Sequence, residues 1–457
     1  MEANISLNEM VLRAQAAQKV FEEFDQAMVD KVVYVIGKIV YDNAKPFAKM
    51  EFEETRMGVY EDKIAKNIGK SRMIWNSLKG KKSMGLLRHI PEDGIMEFAR
   101  PMGVVGAVTP CTNAIPTCMG NSMMALKCRN AIIIAPHPRA KKCCAHYIDM
   151  VNEELLKLGA PRHLIQIIRE PSVALTKEVM SVCDISVATG GGAMVKAAYS
   201  SGKPAYGVGV GNVQCIIDRG YDFKVAVPKI IFGRKFDNGI ICSAEQTVIL
   251  PRSNYDEIIA EFKAQGAYYA DGPEEIEKFR KAVFGEGGIL NKDLVGQSVQ
   301  AVAKAAGVPV PDAAQVIILK AAGTGDKDFL SKEKMCPVLS AYAYDSFDDA
   351  LNIALDNLNH EGRGHSVSIH SDKNENLIKA GEILPVSRIL INQICATMNG
   401  GAFTNGLAPT TSLGCGSWGG NSITENLDYK HFYNVARVAS EIPGRTAPAD
   451  DVIWEVV

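Results

Sequence analysis

Val33, Ile36 and Val40 recur at helical spacing, with Asp30, Lys31, Lys38 and Asp42 around them. That pattern belongs to a helix with one apolar face, and residues 7–75 read as largely helical. Between 85 and 98 the pattern changes: Pro91-Glu92-Asp93-Gly94 is a turn signal between two short apolar runs, which predicts a β-hairpin. Strands are then expected over 104–108, 131–135, 163–168 and 185–188, alternating with helices over 122–127, 142–158, 176–181 and 193–199. Strands alternating with helices imply βαβ units and a parallel sheet. A second α/β region follows. Its expected helices are 223–232, 255–265 and 347–358, and its expected strands are 245–250, 316–319, 341–344 and 366–369. Pro228 fits the first of these helices only within its first turn. Residues 400–420, rich in Gly, Ser and Thr, read as a loop lining a site.

Composition narrows the class. The 457 residues allow two or three domains, and 47% hydrophobic with 22% charged residues supports a sizeable core. Lys+Arg 50 against Asp+Glu 52 leaves a net charge of -2, which argues for neither a nucleic-acid nor a membrane partner. Met1-Glu2-Ala3-Asn4 lacks the basic and apolar regions of a signal peptide, and no apolar run is long enough to span a bilayer, so a cytoplasmic protein is expected. The eleven cysteines are odd in number and irregular in spacing, with no CxxC pair and no zinc-ligand cluster. Nearly all are expected to be small buried hydrophobes, and no metal is expected.

Three segments could carry chemistry. Thr189-Gly190-Gly191-Gly192 follows an expected strand and opens an expected helix, so its backbone N–H groups and the helix dipole could meet a phosphate. Gly207-Val208-Gly209-Val210-Gly211 lies nearby without a clear following helix; both strings read equally as tight turns. Phe236-Asp237-Asn238-Gly239-Ile240-Ile241-Cys242-Ser243 brings a cysteine to a turn before a strand, either as a nucleophile at a cleft or as a core residue. Pro136-His137-Pro138-Arg139-Ala140-Lys141-Lys142 leaves the carboxyl end of a strand. It is either a phosphate site or a solvated helix start, and cations at a helix N-terminus favour a bound anion.

Together these segments resemble the aldehyde dehydrogenase superfamily along nearly the whole chain. Thr109-Pro110-Cys111-Thr112-Asn113 is similar to the family's strand-end motif with its oxyanion-binding Asn. Glu333-Lys334-Met335-Cys336-Pro337-Val338 resembles the motif whose Glu holds the nicotinamide ribose, and Cys242 falls at the nucleophile position. Hydrolytic members carry a Glu base in the segment matching 207–212 and a Lys for the adenosine ribose beside Ala135. Here neither is present. Those departures, with Ser200-Ser201-Gly202-Lys203-Pro204 and Gly414-Cys415-Gly416-Ser417-Trp418-Gly419, resemble the CoA-acylating branch. Met57-Gly58-Val59-Tyr60-Glu61 and Gly233-Arg234-Lys235 resemble its succinate semialdehyde group most, although Ala114 and Cys118 stand where that group has prolines.

The resemblance implies an aldehyde dehydrogenase-like α/β fold. Its cofactor-binding domain would span 1–221 with an oligomerisation hairpin near 85–100, its catalytic domain 222–420, and its C-terminal return and oligomerisation segment 421–457. It implies NAD or NADP as cofactor and coenzyme A as co-substrate, binding in turn to one pocket. It also implies a homodimer or a dimer of dimers. Cys242 would be the nucleophile, Asn113 an oxyanion donor, and His365 a base for CoA or a cofactor contact. Thr109, Pro110, His137, Pro138, Arg139, Lys141, Thr189, Gly190, Gly191, Gly209 and Glu333 would hold the cofactor. Arg234 and Thr397 would meet an anionic substrate, with Asn399 and backbone N–H groups assisting. Acetaldehyde and sulfoacetaldehyde are the alternative substrates, and a non-catalytic scaffold of the same fold is the rival class.

Overall fold

The computed structural model describes residues 5–456. The expectation drawn from Met1-Glu2-Ala3-Asn4 lies outside the described residues.

The long helical region resolves into four helices, Leu7–Glu22, Gln26–Asp42, Ala44–Thr55 and Tyr60–Leu78. Polar caps start two of them: Ser6 accepts from the Glu9 N–H and Asp25 from the Met28 N–H. Gln26–Asp42 buries Val29, Val32, Val33, Ile36 and Val40, the stripe its spacing predicts. Tyr60–Leu78 instead buries Lys63, Lys66, Asn67 and Ser71 before Ile74 and Leu78.

A five-stranded parallel sheet runs in the order Ile165–Ile167, Ala131–Pro136, Val104–Thr109, Ile185–Thr189, Ala205–Val208. From Val104–Thr109 the chain builds outward on one side and then returns to build on the other. The carboxyl ends of Val104–Thr109 and Ile185–Thr189 therefore flank a topological switch point, where open α/β sheets bind ligands. A seven-stranded parallel sheet has the order Ala267–Ala270, Val316–Lys320, Val338–Tyr344, Glu245–Pro251, Val213–Ile217, Gly364–His370, Val386–Ile391. The chain crosses from the first sheet to the second over 209–212, earlier than the expected division at 221, because Val213–Ile217 pairs with Glu245–Pro251. The expected hairpin, Gly85–Ile90 with Ile95–Pro101, gains Tyr433–Ala439 as a third antiparallel strand.

Several elements went unanticipated: the strands Ala205–Val208, Val213–Ile217, Ala267–Ala270 and Val386–Ile391, and the helices Pro273–Val283, Val299–Ala306 and Asn374–Ile383. The first two strands flank the second glycine string, which hid them. Helix Phe223–Lys235 runs through Pro228 beyond its first turn; this proline lies on the exposed face, where a missing N–H costs least. Among the described residues, no helix is long and apolar enough to cross a membrane.

Candidate active site

A cavity of about 710 Å³ opens at the switch point, between the carboxyl ends of the first sheet and the segment that crosses to the second. Cys242, Asn113 and Glu333 all line it. So do Thr109 and Pro110, His137, Pro138 and Arg139 from the basic loop, Thr189, Gly190 and Gly191 from the first glycine string, and Gly209 from the second. The sequence spreads these residues over more than 220 positions; the fold gathers them around one space. Ile289, Leu290, Lys292 and Val295 form a further wall that no motif announced.

The eleven cysteines are all free; nine are buried, and only Cys111 and Cys242 are part-exposed. Cys242 follows a turn in which Asp237 and Asn238 take positive φ values of 48° and 53°. That conformation is unfavourable for side-chain-bearing residues and must be held from outside. The buried Asp237 carboxylate accepts the Val59 N–H at 2.7 Å and pairs with Lys63 at 3.3 Å and with Lys66, while its own N–H is accepted by Asp62 at 2.7 Å. Burial pushes the Asp237 carboxyl upward, but Lys66 and Lys63 outweigh it and leave it below the ordinary value. From the other side, Gly211 packs so closely that a Cβ there would collide with the Cys242 carbonyl.

Lys66 also fixes Asn113. Its ammonium donates to Asn113 Oδ1 at 2.8 Å and to the Thr112 carbonyl at 3.0 Å. With Oδ1 taken by a pure donor, the Asn113 amide is left to present its NH₂. Four residues on, Lys70 donates to the carbonyls of Gly400 at 2.8 Å and Thr410 at 3.0 Å. Burial lowers Lys70 to about 8, although the nearby Cys242 raises it and Lys66 adds to the lowering. Lys63, Lys66 and Lys70 were missed as site residues. Three lysines at i, i+3 and i+7 occupy one helix face, a pattern that a solvated face shares and that therefore does not mark a site by itself.

Electrostatics hold the Cys242 thiol in its protonated form in the protein alone. Burial pushes the Cys242 thiol up to about 12, and Glu333 and Cys415 push the same way against Arg388. Burial and then Glu361 raise the Glu333 carboxyl well above its ordinary value. Glu333 Oε1 is buried without a protein partner, the state expected of an acceptor awaiting a ligand hydroxyl. Gly191 faces open space at the start of helix Gly192–Tyr199, a cradle suited to phosphate. The residues present therefore fit a dinucleotide.

Four expected site residues do not line the cavity. Lys141 pairs with Glu170 instead. Thr397 sits on the short helix Cys395–Met398. Arg234 is fully buried, donating to the Glu245 carbonyl at 2.9 Å and to the Cys336 carbonyl; its guanidinium braces backbone and does not reach the cavity. His365 is also buried, with Nδ1 against Ser366 Oγ at 3.0 Å and Nε2 without a protein partner. Burial, helped by Arg388, lowers it to about 3, so it is a neutral imidazole.

Comparison with known proteins agrees with this architecture. Residues 3–276 match the aldehyde dehydrogenase family. The chain is 52% identical to a succinate-semialdehyde dehydrogenase (acetylating) of Clostridium kluyveri, over 99% of this chain and 100% of the relative. It is 40% identical to a sulfoacetaldehyde dehydrogenase of an Acholeplasma species, over 97% of this chain and 92% of the relative. The solved structure of an acetylating aldehyde dehydrogenase from Geobacillus thermoglucosidasius superposes with a TM-score of 0.92 at 35% identity, covering 97% of both chains. The chain belongs to the aldehyde dehydrogenase family.

Proposed function

We propose that this protein is a CoA-acylating aldehyde dehydrogenase. It reversibly converts succinate semialdehyde, CoA and NAD(P)⁺ to succinyl-CoA and NAD(P)H through a thioester on Cys242. The observation that carries this reading is that Cys242 faces Asn113 and Glu333 across one cavity, while 207–212 supplies no carboxylate to activate water.

Cys242 Sγ, once deprotonated, attacks the aldehyde carbon to give a thiohemiacetal. The oxyanion is held by the Asn113 NH₂, which Lys66 orients, and by the Cys242 N–H. The dinucleotide, when bound, accepts the hydride that leaves the thiohemiacetal carbon. Glu333 Oε1 would hold its ribose, and Thr189, Gly190 and Gly191 its phosphates. The CoA sulfur, as its proton is lost, attacks the thioester carbonyl, and the acyl–Sγ bond breaks with Cys242 leaving as thiolate. Thiols ionise far more readily than water, so the CoA thiol needs no strong base; His365, buried off the cavity and lowered to about 3, does not serve as one, and the missing carboxylate protects the acyl-enzyme from hydrolysis. Arg139 and His137 suit the phosphates of both ligands, which share an adenosine and a pyrophosphate.

For the substrate carboxylate, Arg234 is engaged elsewhere and Lys70 takes its place. Lys70 is anchored on the Gly400 and Thr410 carbonyls and lies near enough to Cys242 to feel its charge; it does not itself line the cavity, so it would act on the anion from just behind the wall. The exposed three-stranded sheet fits a homodimer or a dimer of dimers, and the protein is proposed to act in the cytoplasm.

The test is a panel of succinate semialdehyde, sulfoacetaldehyde, acetaldehyde and butyraldehyde with purified protein, each cofactor, and CoA present or absent. CoA-dependent cofactor reduction, best with succinate semialdehyde, is expected. Equal rates without CoA would overturn the acylating reading, and a higher kcat/KM for sulfoacetaldehyde would move the substrate.

A further inference from the structure

Glu245 lies three residues after Cys242, at the start of strand Glu245–Pro251, and is fully buried. The mechanism above does not use it. Its Oε1 accepts the Cys395 N–H at 2.8 Å, at the N-terminus of the short helix Cys395–Met398. Beside it, Ser243 Oγ donates to the Ala396 carbonyl at 2.9 Å. The residues on both sides of Ala244 are thus tied to one turn of helix. That helix carries Thr397 and leads into Asn399, which donates to Ser366 beside His365, and into Gly400, whose carbonyl receives Lys70.

Gly233 and Arg234 complete the arrangement. A Cβ at Gly233 would collide with both carboxyl oxygens of Glu245, so only glycine leaves room for the side chain. Arg234 holds the Glu245 carbonyl. The Gly233-Arg234 pair therefore serves Glu245.

A neutral cap would satisfy a helix N-terminus at lower cost, since a buried carboxylate loses its hydration. Glu245 Oε2 moreover has no protein partner. We propose that Glu245 is a positioning residue for aldehyde recognition: its carboxylate grips the N-terminus of Cys395–Met398 and so fixes Gly400, whose carbonyl anchors the proposed substrate cation Lys70, relative to Cys242. The proposal rests on Cys242 being the nucleophile.

Burial pushes the Glu245 carboxyl up to about 7, against the backbone N–H groups and Arg234. The ionisable groups facing it are Arg234 from helix Phe223–Lys235, Cys215 from strand Val213–Ile217 and Cys395 from the short helix. Burial raises both thiols and lowers Arg234 only to about 10, so of these groups Glu245 alone changes charge near neutrality. Protonation removes the charge that makes the N–H acceptor strong, so the grip weakens as pH falls through 7.

The experiment is steady-state kinetics between pH 6 and 8.5 on the wild type, Glu245→Gln and Gly233→Ala, with succinate semialdehyde, CoA and NADP⁺, alongside iodoacetamide alkylation of Cys242. In the wild type, the KM for the aldehyde should rise several-fold from pH 8 to pH 6. In Glu245→Gln it should be about tenfold above wild type at pH 8 and should not rise toward pH 6, where Lys70, lowered to about 8, only gains charge, with kcat within about threefold and alkylation within about twofold. Gly233→Ala should show the same raised KM. A wild-type KM and pH profile in Glu245→Gln would overturn the proposal, as would parallel losses of kcat, KM and alkylation. If Glu245→Gln does not fold, a flat wild-type KM profile or an unchanged KM in Gly233→Ala would overturn it. Wild-type protein with no CoA-dependent turnover would point to failure of the nucleophile assignment itself.

Discussion

Helices Gln26–Asp42 and Tyr60–Leu78 are similar in length and both bury one face, yet the faces are opposite in chemistry. The first buries Val29, Val32, Val33, Ile36 and Val40; the second puts Lys63, Lys66, Asn67 and Ser71 inside. Apolar burial is favourable without further arrangement, whereas a buried ammonium is tolerated only with partners. Each lysine here has them: Asp237 for Lys63 and Lys66, Asn113 also for Lys66, and the Gly400 and Thr410 carbonyls for Lys70. The first helix holds the molecule together, and the second shapes the ground around Cys242.

The comparison can be broken or sharpened in steps. Cys242→Ala should abolish turnover in both directions while leaving the melting curve in place, because it removes the covalent route and no packing of consequence. Retention of activity within about tenfold of wild type would refute the assignment. Next in size is the reactivity of the thiol. With Cys242 raised to about 12, its alkylation in the protein alone should climb about tenfold per pH unit from pH 7 to 10, since only the thiolate reacts. A plateau near pH 8.5 would mean an unperturbed thiol.

Asn113→Ala should lower kcat on the order of 10²–10³-fold with cofactor affinity intact, as for loss of one oxyanion donor. A defect confined to cofactor binding would contradict that role. In the apolar helix, Ile36→Ala should cost about 2–5 kcal/mol of stability in denaturant titration and leave kcat near wild type. Lys70→Met should raise the KM for succinate semialdehyde about tenfold and barely affect butyraldehyde. Equal changes on both aldehydes would reduce Lys70 to a brace for the Gly400 loop.

Much of this was legible in the chain. Short apolar runs alternating with period-3.6 stripes located most of the first sheet and its helices, because strands buried on both faces and amphipathic helices leave local signatures. Motif resemblance brought Cys242, Asn113 and Glu333 forward, and the fold places all three on one cavity. What stayed hidden has physical reasons. Val213–Ile217 is short and starts directly after a glycine string, so no local cue separates strand from turn. Lys66 and Lys70 resemble ordinary surface lysines until the opposing loops are in place. Arg234 was read as a substrate contact because it is close to Cys242 in sequence, but its side chain turns to the Glu245 and Cys336 carbonyls. Sequence proximity carries no direction.

The glycine string packed behind Cys242 also bears on how far this enzyme stands from a different outcome. A side chain at Gly207 would strike Val195 and Tyr199, and one at Gly211 would strike Cys242 itself. At Gly209 the nearest atom to a new Cβ is Cys415 Sγ, at 3.9 Å. Of these three, Gly209 is therefore the only position with room for a side chain without a clash, and it lines the cavity. An engineer seeking an acid-forming catalyst from this fold would begin with Gly209→Glu.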